Sequence, residues 1–241
     1  MSQLITLAVV GLSLGSLAWS PGHPALWLVD IAVRTYLMFL GTVMAHEASH
    51  GHMGRGRANL WWGRLALLPV MVPYANFRKT HPLHHAYTND PGRDPDYFVR
   101  PRHNWEIPLR SMGMPHQWFW WLHARGRLDR RHLSELGGDY ARMLAVHVPV
   151  LLAVGPWRYL GGMAPALMLV SWLLWHPFAL KTHEGWSQGA PETRSHDYQA
   201  RWLYWFSLGL SLHQAHHLHP QLTWRQLRRF LLPKLTAVPP P

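Results

Sequence analysis

Eight of the 19 histidines in this 241-residue chain stand at spacings that suit metal ligation, and a ninth joins them by its position. In His213-Gln214-Ala215-His216-His217 the three imidazoles fall at i, i+3 and i+4, so a helix would set them on one face. His81-Pro82-Leu83-His84-His85 repeats that spacing, and His46-Glu47-Ala48-Ser49-His50 adds a pair at i and i+4. His183 follows a long apolar segment, as His46 does, and joins the set on that ground. Neutral imidazole is the commonest metal-ligating side chain. A structural zinc takes four ligands and a catalytic one usually three, so this many imidazoles exceed what one ion needs. Two ions with four or five ligands each and an open position fit the set. Imidazole suits iron, copper, zinc and nickel alike.

The composition removes other chemistries. There is no cysteine, hence no disulfide, thiolate-bound metal, iron–sulfur cluster or cysteine nucleophile. The net charge is +11, but the basic residues are separated by long apolar segments. Anionic headgroups and the positive-inside rule account for that pattern better than nucleic acid does. Mean hydropathy is only −0.12, so the membrane reading rests on segments. The N-terminus lacks the basic region and small-residue site of a cleavable signal.

Apolar runs over 4–19 and 25–45, joined by a Pro- and Gly-containing turn at 20–24, read as a first transmembrane hairpin. It returns His46 and His50 to the membrane surface. Residues 60–75 are apolar but contain Pro69 and Pro73, and suit a segment that dips in or lies at the interface. Residues 99–140 are polar and basic around Trp118-Phe119-Trp120-Trp121, which reads as a cap touching headgroups. Residues 143–180, broken at Gly155-Pro156 and Gly161-Gly162, form a second hairpin that delivers His183 to the same side. Trp224 to Leu232 reads as an amphipathic interfacial helix. Asp30 and Arg34, at i and i+4 inside the second run, can pair, as a structural anchor or as a polar group near a substrate channel. The expected fold is all-α and integral to the membrane. It has about four transmembrane helices in two hairpins, interfacial helices and a cytoplasmic histidine-rich cap, in one domain over 1–241 with a disordered tail at about 236–241. Lys and Arg number 14 in residues 46–142 and 7 in 181–241, against none in the turn at 20–24, so the histidine side should be cytoplasmic.

His46-Glu47-Ala48-Ser49-His50-Gly51, Phe77 to His85, Asp94-Pro95-Asp96 and His213 to Pro220 resemble the membrane-bound fatty acid desaturase and hydroxylase superfamily. Its three histidine boxes are matched in order and spacing over roughly residues 40–230. The resemblance implies that the boxes hold two non-haem iron ions, which activate O2 at the cytoplasmic face of a membrane, here a bacterial inner membrane. It also implies ligation by a further histidine before the third box, which His183 matches; some members place an asparagine one turn earlier, where this chain has Ala179. Gly56-Arg57-Ala58-Asn59 and the run His216 to Pro220 followed by Trp224 look like carotenoid ketolases. Glu47 departs from the His-Asp-x-x-His usual there, and the second box with Glu192-Thr193-Arg194-Ser195 looks more like bacterial acyl desaturases. The expected substrate is therefore a lipid acyl chain, with a carotenoid as the alternative. A histidine-rich membrane metal carrier is the reading from a different class, but it would place ligands inside the spanning helices rather than at their ends.

Neutral ligands leave the metal charge uncompensated, and nearby carboxylates should orient them. Glu47, Asp94, Asp96 and Glu184 lie in or beside the ligand segments, and His52 and His219 flank them. Each turnover needs electrons from outside, which implies a ferredoxin, rubredoxin or cytochrome that docks an acidic surface on the basic side. Reversing the charge of Arg125, Arg127, Arg130 and Arg131 should slow reduction by the physiological donor. Unchanged turnover with that donor would remove this surface from the docking site.

Overall fold

Helices joined by turns and loops make up the described part of the protein. The computed structural model describes residues 1–19, 23–174 and 176–231, with the side chains of Leu174 and Ala179 set aside. Residues 20–22 of the expected first turn, Leu232 and the expected tail at 236–241 lie outside the described residues. The single β-bridge among the described residues joins Asp197 and Leu212.

The first hairpin forms from α1 (Ser2–Gly15), extended by a 3-10 turn, and α2 (Pro24–Ser49). Pro24 sits in the first turn of α2, where its missing N–H costs nothing, and the His23 ring accepts the Ala25 N–H as a cap. At 26 residues, α2 is about 39 Å long at 1.5 Å per residue, enough to cross a bilayer. α3 (Arg57–Leu67) packs back against α2, and its 11 residues are too few to span. A turn with Met71 at positive φ leads into α4 (Tyr74–Tyr87), which runs on through Pro82.

α5 (Ile107–Ala124) corrects one expectation. Trp118 and Trp121 are buried rather than at headgroup level, because they lie on the stripe with Ile107 and Met114 that faces the core; Trp120 is the exposed one. α6 (Arg130–Val154) is capped by Asp129, whose carboxylate accepts the His132 N–H at 2.7 Å. It ends at Gly155, whose φ of +84° suits glycine. Pro156 then opens α7 (Pro156–Leu169), and helical turns continue to His183. The break expected at Gly155-Pro156 is present, whereas Gly161 and Gly162 lie within α7. Among the described residues, α2 and the stretch Pro156–His183 are the two helices long and apolar enough to cross a membrane; α1 is apolar but shorter.

The Asp30–Arg34 pair proves to be a clasp. Arg34 Nη2 meets Asp30 Oδ2 at 2.6 Å and Ser16 Oγ at 2.8 Å, and Nε donates to the Ser13 carbonyl at 3.1 Å. Gly162 of α7 leaves room for the guanidinium, since a Cβ there would come within 2.5 Å of Nη1. Three helices thus share one buried charge, compensated by its partner and hydrogen bonds.

The last elements are short: α8 (Arg201–Phe206), α9 (His213–Leu218) and α10 (Trp224–Leu227), the last capped by Thr223 and Gln226. The expected interfacial helix after 224 is only this turn and a 3-10 turn. Its Trp224 and Leu227 point into the core, while Arg225, Arg228 and Arg229 face outward. The exterior of several helices is apolar: Leu4, Leu7 and Leu12 on α1, Leu28, Val29 and Val33 on α2, and Leu144, Val148 and Leu152 on α6 are all exposed. Such a surface is costly in water and suits hydrocarbon.

α2 and α3 touch where Gly41 faces the Ala66 carbonyl, and a Cβ there would lie 2.6 Å from that oxygen. Gly41→Ala should therefore cost about 1–3 kcal/mol by forcing the helices apart. Gly137→Ala, which meets open space on α6, should be neutral or gain up to about 1 kcal/mol. Thermal unfolding of both variants in detergent checks this, and equal midpoints would refute the close approach.

Candidate metal centre

All nine sequence-predicted histidines converge. His46, His50, His81, His85 and His216 form one cluster, and His84, His183, His213 and His217 form another, with candidate ligand atoms in each within 4.8 Å of one another. The C-terminal end of α2 supplies His46 and, at its cap, His50. α4 supplies its three, α9 its three, and the 3-10 turn Lys181–His183 ends on the last.

Helix geometry divides each three-histidine motif between the clusters. Residues four apart differ by only about 40° around the axis, whereas the i+3 residue is displaced about 60° the other way. So His81 and His85 stay together while His84 crosses to the second cluster. His213 and His217 likewise stay together while His216 joins the first. α4 and α9 each bridge both sites.

The donor set fits metal. In the first cluster the Nε2 atoms of His50 and His81 lie 2.9 Å apart, and His85 Nε2 is 3.1 Å from those of both His81 and His216. In the second, His213 Nε2 is 2.9 Å from His183 Nε2 and 3.1 Å from His217 Nε2. Ligands at right angles around an ion with bonds of about 2.1 Å would be about 3 Å apart. The buried His46 Nε2 has no hydrogen-bond partner among the described residues. Burial, reinforced by neighbouring imidazoles, holds His81, His85, His213, His216 and His217 well below the usual histidine range, and lowers His50 to about 3. These rings stay neutral and keep a lone pair to donate.

His84 is the exception. Burial alone would lower it, but Asp94 and Asp96 outweigh burial and raise it to about 9. Its Nδ1 donates to Asp94 Oδ1 at 3.0 Å, with Asp96 Oδ2 at 3.8 Å. Burial also raises Asp96, to about 6, against the pull of His84. Asp94 is held by the backbone N–H groups of Asn89 and Asp96, and Asp96 accepts the Trp118 indole N–H at 2.8 Å. His183 Nδ1 donates to the Arg194 carbonyl at 3.1 Å, and His217 Nδ1 lies 3.3 Å from Thr88 Oγ1.

Two of the four expected carboxylates therefore stand beside a candidate ligand, and two do not. Glu47 turns to His52 at 3.2 Å and accepts the Trp224 N–H, because it is rotated about 100° around α2 from His46. Glu184 is 62% exposed and pairs with Lys181, since the chain turns outward after His183. His52 stacks near His50, and His219 stacks on Phe230. Sequence reasoning missed Asn89, Thr88 and Trp118. Asn89 carried a signal: it follows the histidine helix and adopts φ +68°, where asparagine is favoured.

A cavity of about 70 Å³ opens onto both clusters, walled by His46, His84 and His213 and by Phe39, Val43 and Phe178. A neighbouring one of about 230 Å³ shares Thr42, Phe77 and Met114 with it. Phe77 also stacks on the His81 ring, with centroids 5.0 Å apart.

The class so defined is a helical protein with two adjacent all-imidazole sites on an apolar cavity. The chain matches the fatty acid desaturase family over residues 5–238 and belongs to that family of oxidoreductases. It is similar to the sn-1 oleoyl-lipid 12-desaturase of Arthrospira platensis, with 21% identity covering 95% of this chain and 73% of the relative. The human sphingolipid delta(4)-desaturase/C4-monooxygenase is 28% identical over 82% of this chain and 66% of its own length. An sn-1 acyl-lipid omega-3 desaturase (ferredoxin) of Synechocystis is 30% identical over 32% of this chain and 20% of the relative. No solved structure matches.

The raised His84 gives the two sites different pH responses. A cation entering the four-histidine site must displace a proton from His84 at any pH below about 9, so its affinity should rise about tenfold per pH unit between pH 6 and 8. The five-histidine site, whose rings are already neutral, should show little slope there. Metal titration of the apo-protein at several pH values checks this, and equal slopes would refute it. Asp94→Asn should abolish the steep component.

Proposed function

We propose that the protein is a membrane di-iron, O2-dependent desaturase acting on an acyl chain of a lipid. The pairing of five- and four-imidazole clusters on the wall of an apolar cavity carries this reading. His46, His50, His81, His85 and His216 would hold one iron, and His84, His183, His213 and His217 the other. Bound iron supplies the activation of O2 that breaking an unactivated C–H bond requires.

The chain's own residues bind, orient and exclude water. Asp94, steadied by Asn89, fixes the His84 tautomer with Nδ1–H outward and Nε2 toward the cluster, and the Arg194 carbonyl does the same for His183. Phe39, Val43 and Phe178 keep the cavity dry, and the shared wall of Thr42, Phe77 and Met114 gives a bent apolar path suited to a methylene chain. Loss of two hydrogens yields an alkene and insertion of oxygen an alcohol, and placement within about 1 Å decides between them. The names of the Arthrospira and Synechocystis relatives support desaturation, and that of the human relative carries both outcomes.

The scaffold is one domain over 1–241. Four spans, α1, α2, α6 and the helix from Pro156, form two hairpins in a bacterial inner membrane, with the metal side cytoplasmic. The distribution of basic residues and the exposed apolar residues of these helices support that placement. Electrons come from a ferredoxin, rubredoxin or cytochrome; the Synechocystis name supports a ferredoxin.

Protein reconstituted with ferrous iron should bind two irons per chain, and His46→Ala or His84→Ala about one. Cells expressing the gene should gain unsaturated acyl chains, and the His84→Ala strain should not. One iron or none in the wild type would overturn the di-iron assignment. Oxidised carotenoids with an unchanged acyl profile would overturn the acyl substrate.

A further inference from the structure

Many charges on this protein are matched. Arg64 and Arg142 pair with Asp139, Arg78 and Arg131 with Glu135, and Arg93 with Asp90. The C-terminal segment differs, because residues 198–241 contain no Asp or Glu. Arg201 on α8, and Arg225, Arg228 and Arg229 on and after α10, are exposed, and no carboxylate pairs with any of them among the described residues.

These arginines form one face with two tryptophans. Arg201 and Trp205 are one turn apart on α8, and the Arg228 guanidinium lies over the Trp205 ring, 5.5 Å from its centroid. Arg225, Arg228 and Arg229 stand at i, i+3 and i+4, opposite the buried Trp224 and Leu227. Trp202 is 69% exposed and Trp205 49%. The face lies at the metal-centre end of α2, where the Trp224 N–H reaches Glu47 at 3.2 Å. It also meets the apolar exterior. Phe206, at the end of α8, stacks on Tyr36 of α2 at 4.7 Å, and the exposed Val33 is one turn away.

We propose that α8 and α10 form a binding face for the phosphate headgroups of anionic phospholipids. Guanidinium groups match phosphate in charge and geometry. Exposed indoles beside an apolar belt seat at the headgroup level, with the ring in the interface. An acidic protein would complement the arginines equally well but would leave the indoles without hydrocarbon. The proposal rests on the membrane placement above and not on the metal chemistry, and its test reads lipid rather than turnover.

The test is native mass spectrometry of the full-length protein released from micelles containing equal phosphatidylglycerol and phosphatidylcholine. The wild type should retain phosphatidylglycerol preferentially. Arg→Gln at 201, 225, 228 and 229 should lower that preference about fivefold per residue, and Arg→Lys at the same positions should keep most of it. If the fourfold Gln variant loses its fold, judged by thermal midpoint, the pairs R225Q/R229Q and R201Q/R228Q are read instead, each expected to lose about 25-fold. Equal retention of both lipids by the wild type, or unchanged preference in the Gln variants, would overturn the proposal. So would Gln variants that keep the lipid preference but are reduced more slowly by an acidic ferredoxin, since that result assigns the face to the electron carrier.

Discussion

Nine imidazoles must be held close together with all but His84 kept uncharged, and this constraint organises the rest of the structure. A protonated cluster would carry several like charges a few ångströms apart, at high cost in a buried site. Burial keeps most rings neutral, and neutrality leaves their lone pairs converging at spacings near 3 Å. Ligands drawn from α2, α4, α9 and the helix from Pro156 can meet this way only if those four elements are fixed against one another. The clasp of Arg34 fixes α2 to α7, while Asp139 of α6 accepts the Ala75 N–H of α4 and Asp197 accepts the Ala215 N–H of α9.

The two clusters are not equivalent. The first draws on three elements and has five rings, and among the described residues no carboxylate pairs with them. The second has four rings, and one of them faces two carboxylates. Bridging by α4 and α9 follows from the i, i+3, i+4 spacing itself: one helix cannot point all three rings at one ion, but it can give two to one ion and one to the next. The repeated spacing therefore encodes a pair of sites and their separation; two rings from the end of α2 complete the first set and His183 completes the second.

Much of this was legible in the sequence because it is local. Spacing marked all the box histidines, and His183 was found from its place after an apolar helix. The hairpin turn at Gly155-Pro156 follows from the two residue types alone. What was not legible depends on which face of a helix turns inward. Glu47 and Glu184 adjoin candidate ligands in sequence, yet they project elsewhere, whereas Asp94 reaches His84 from ten residues away. Trp118 looked like a headgroup anchor by composition, but its indole is needed by Asp96. The spacing placed three rings on one face and did not show that they divide between two sites.

Polarity in this protein is segregated radially. Much of the exterior of the long helices is apolar, while the Asp30–Arg34 ion pair and the nine clustered histidines lie within. Between these layers lie the two cavities, and Phe77 walls both while stacking on His81. An apolar chain in the larger cavity would press on the same ring that fixes a ligand of the first cluster. Substrate position and ligand position are thus coupled through one side chain, and a shift of Phe77 cannot alter the cavity without altering the packing of His81. That coupling explains why an aromatic of low polarity directly precedes Arg78, Lys79, Thr80 and His81. The ring is rigid, fills the gap between cavity and cluster, and adds no competing donor to the lone pairs beside it.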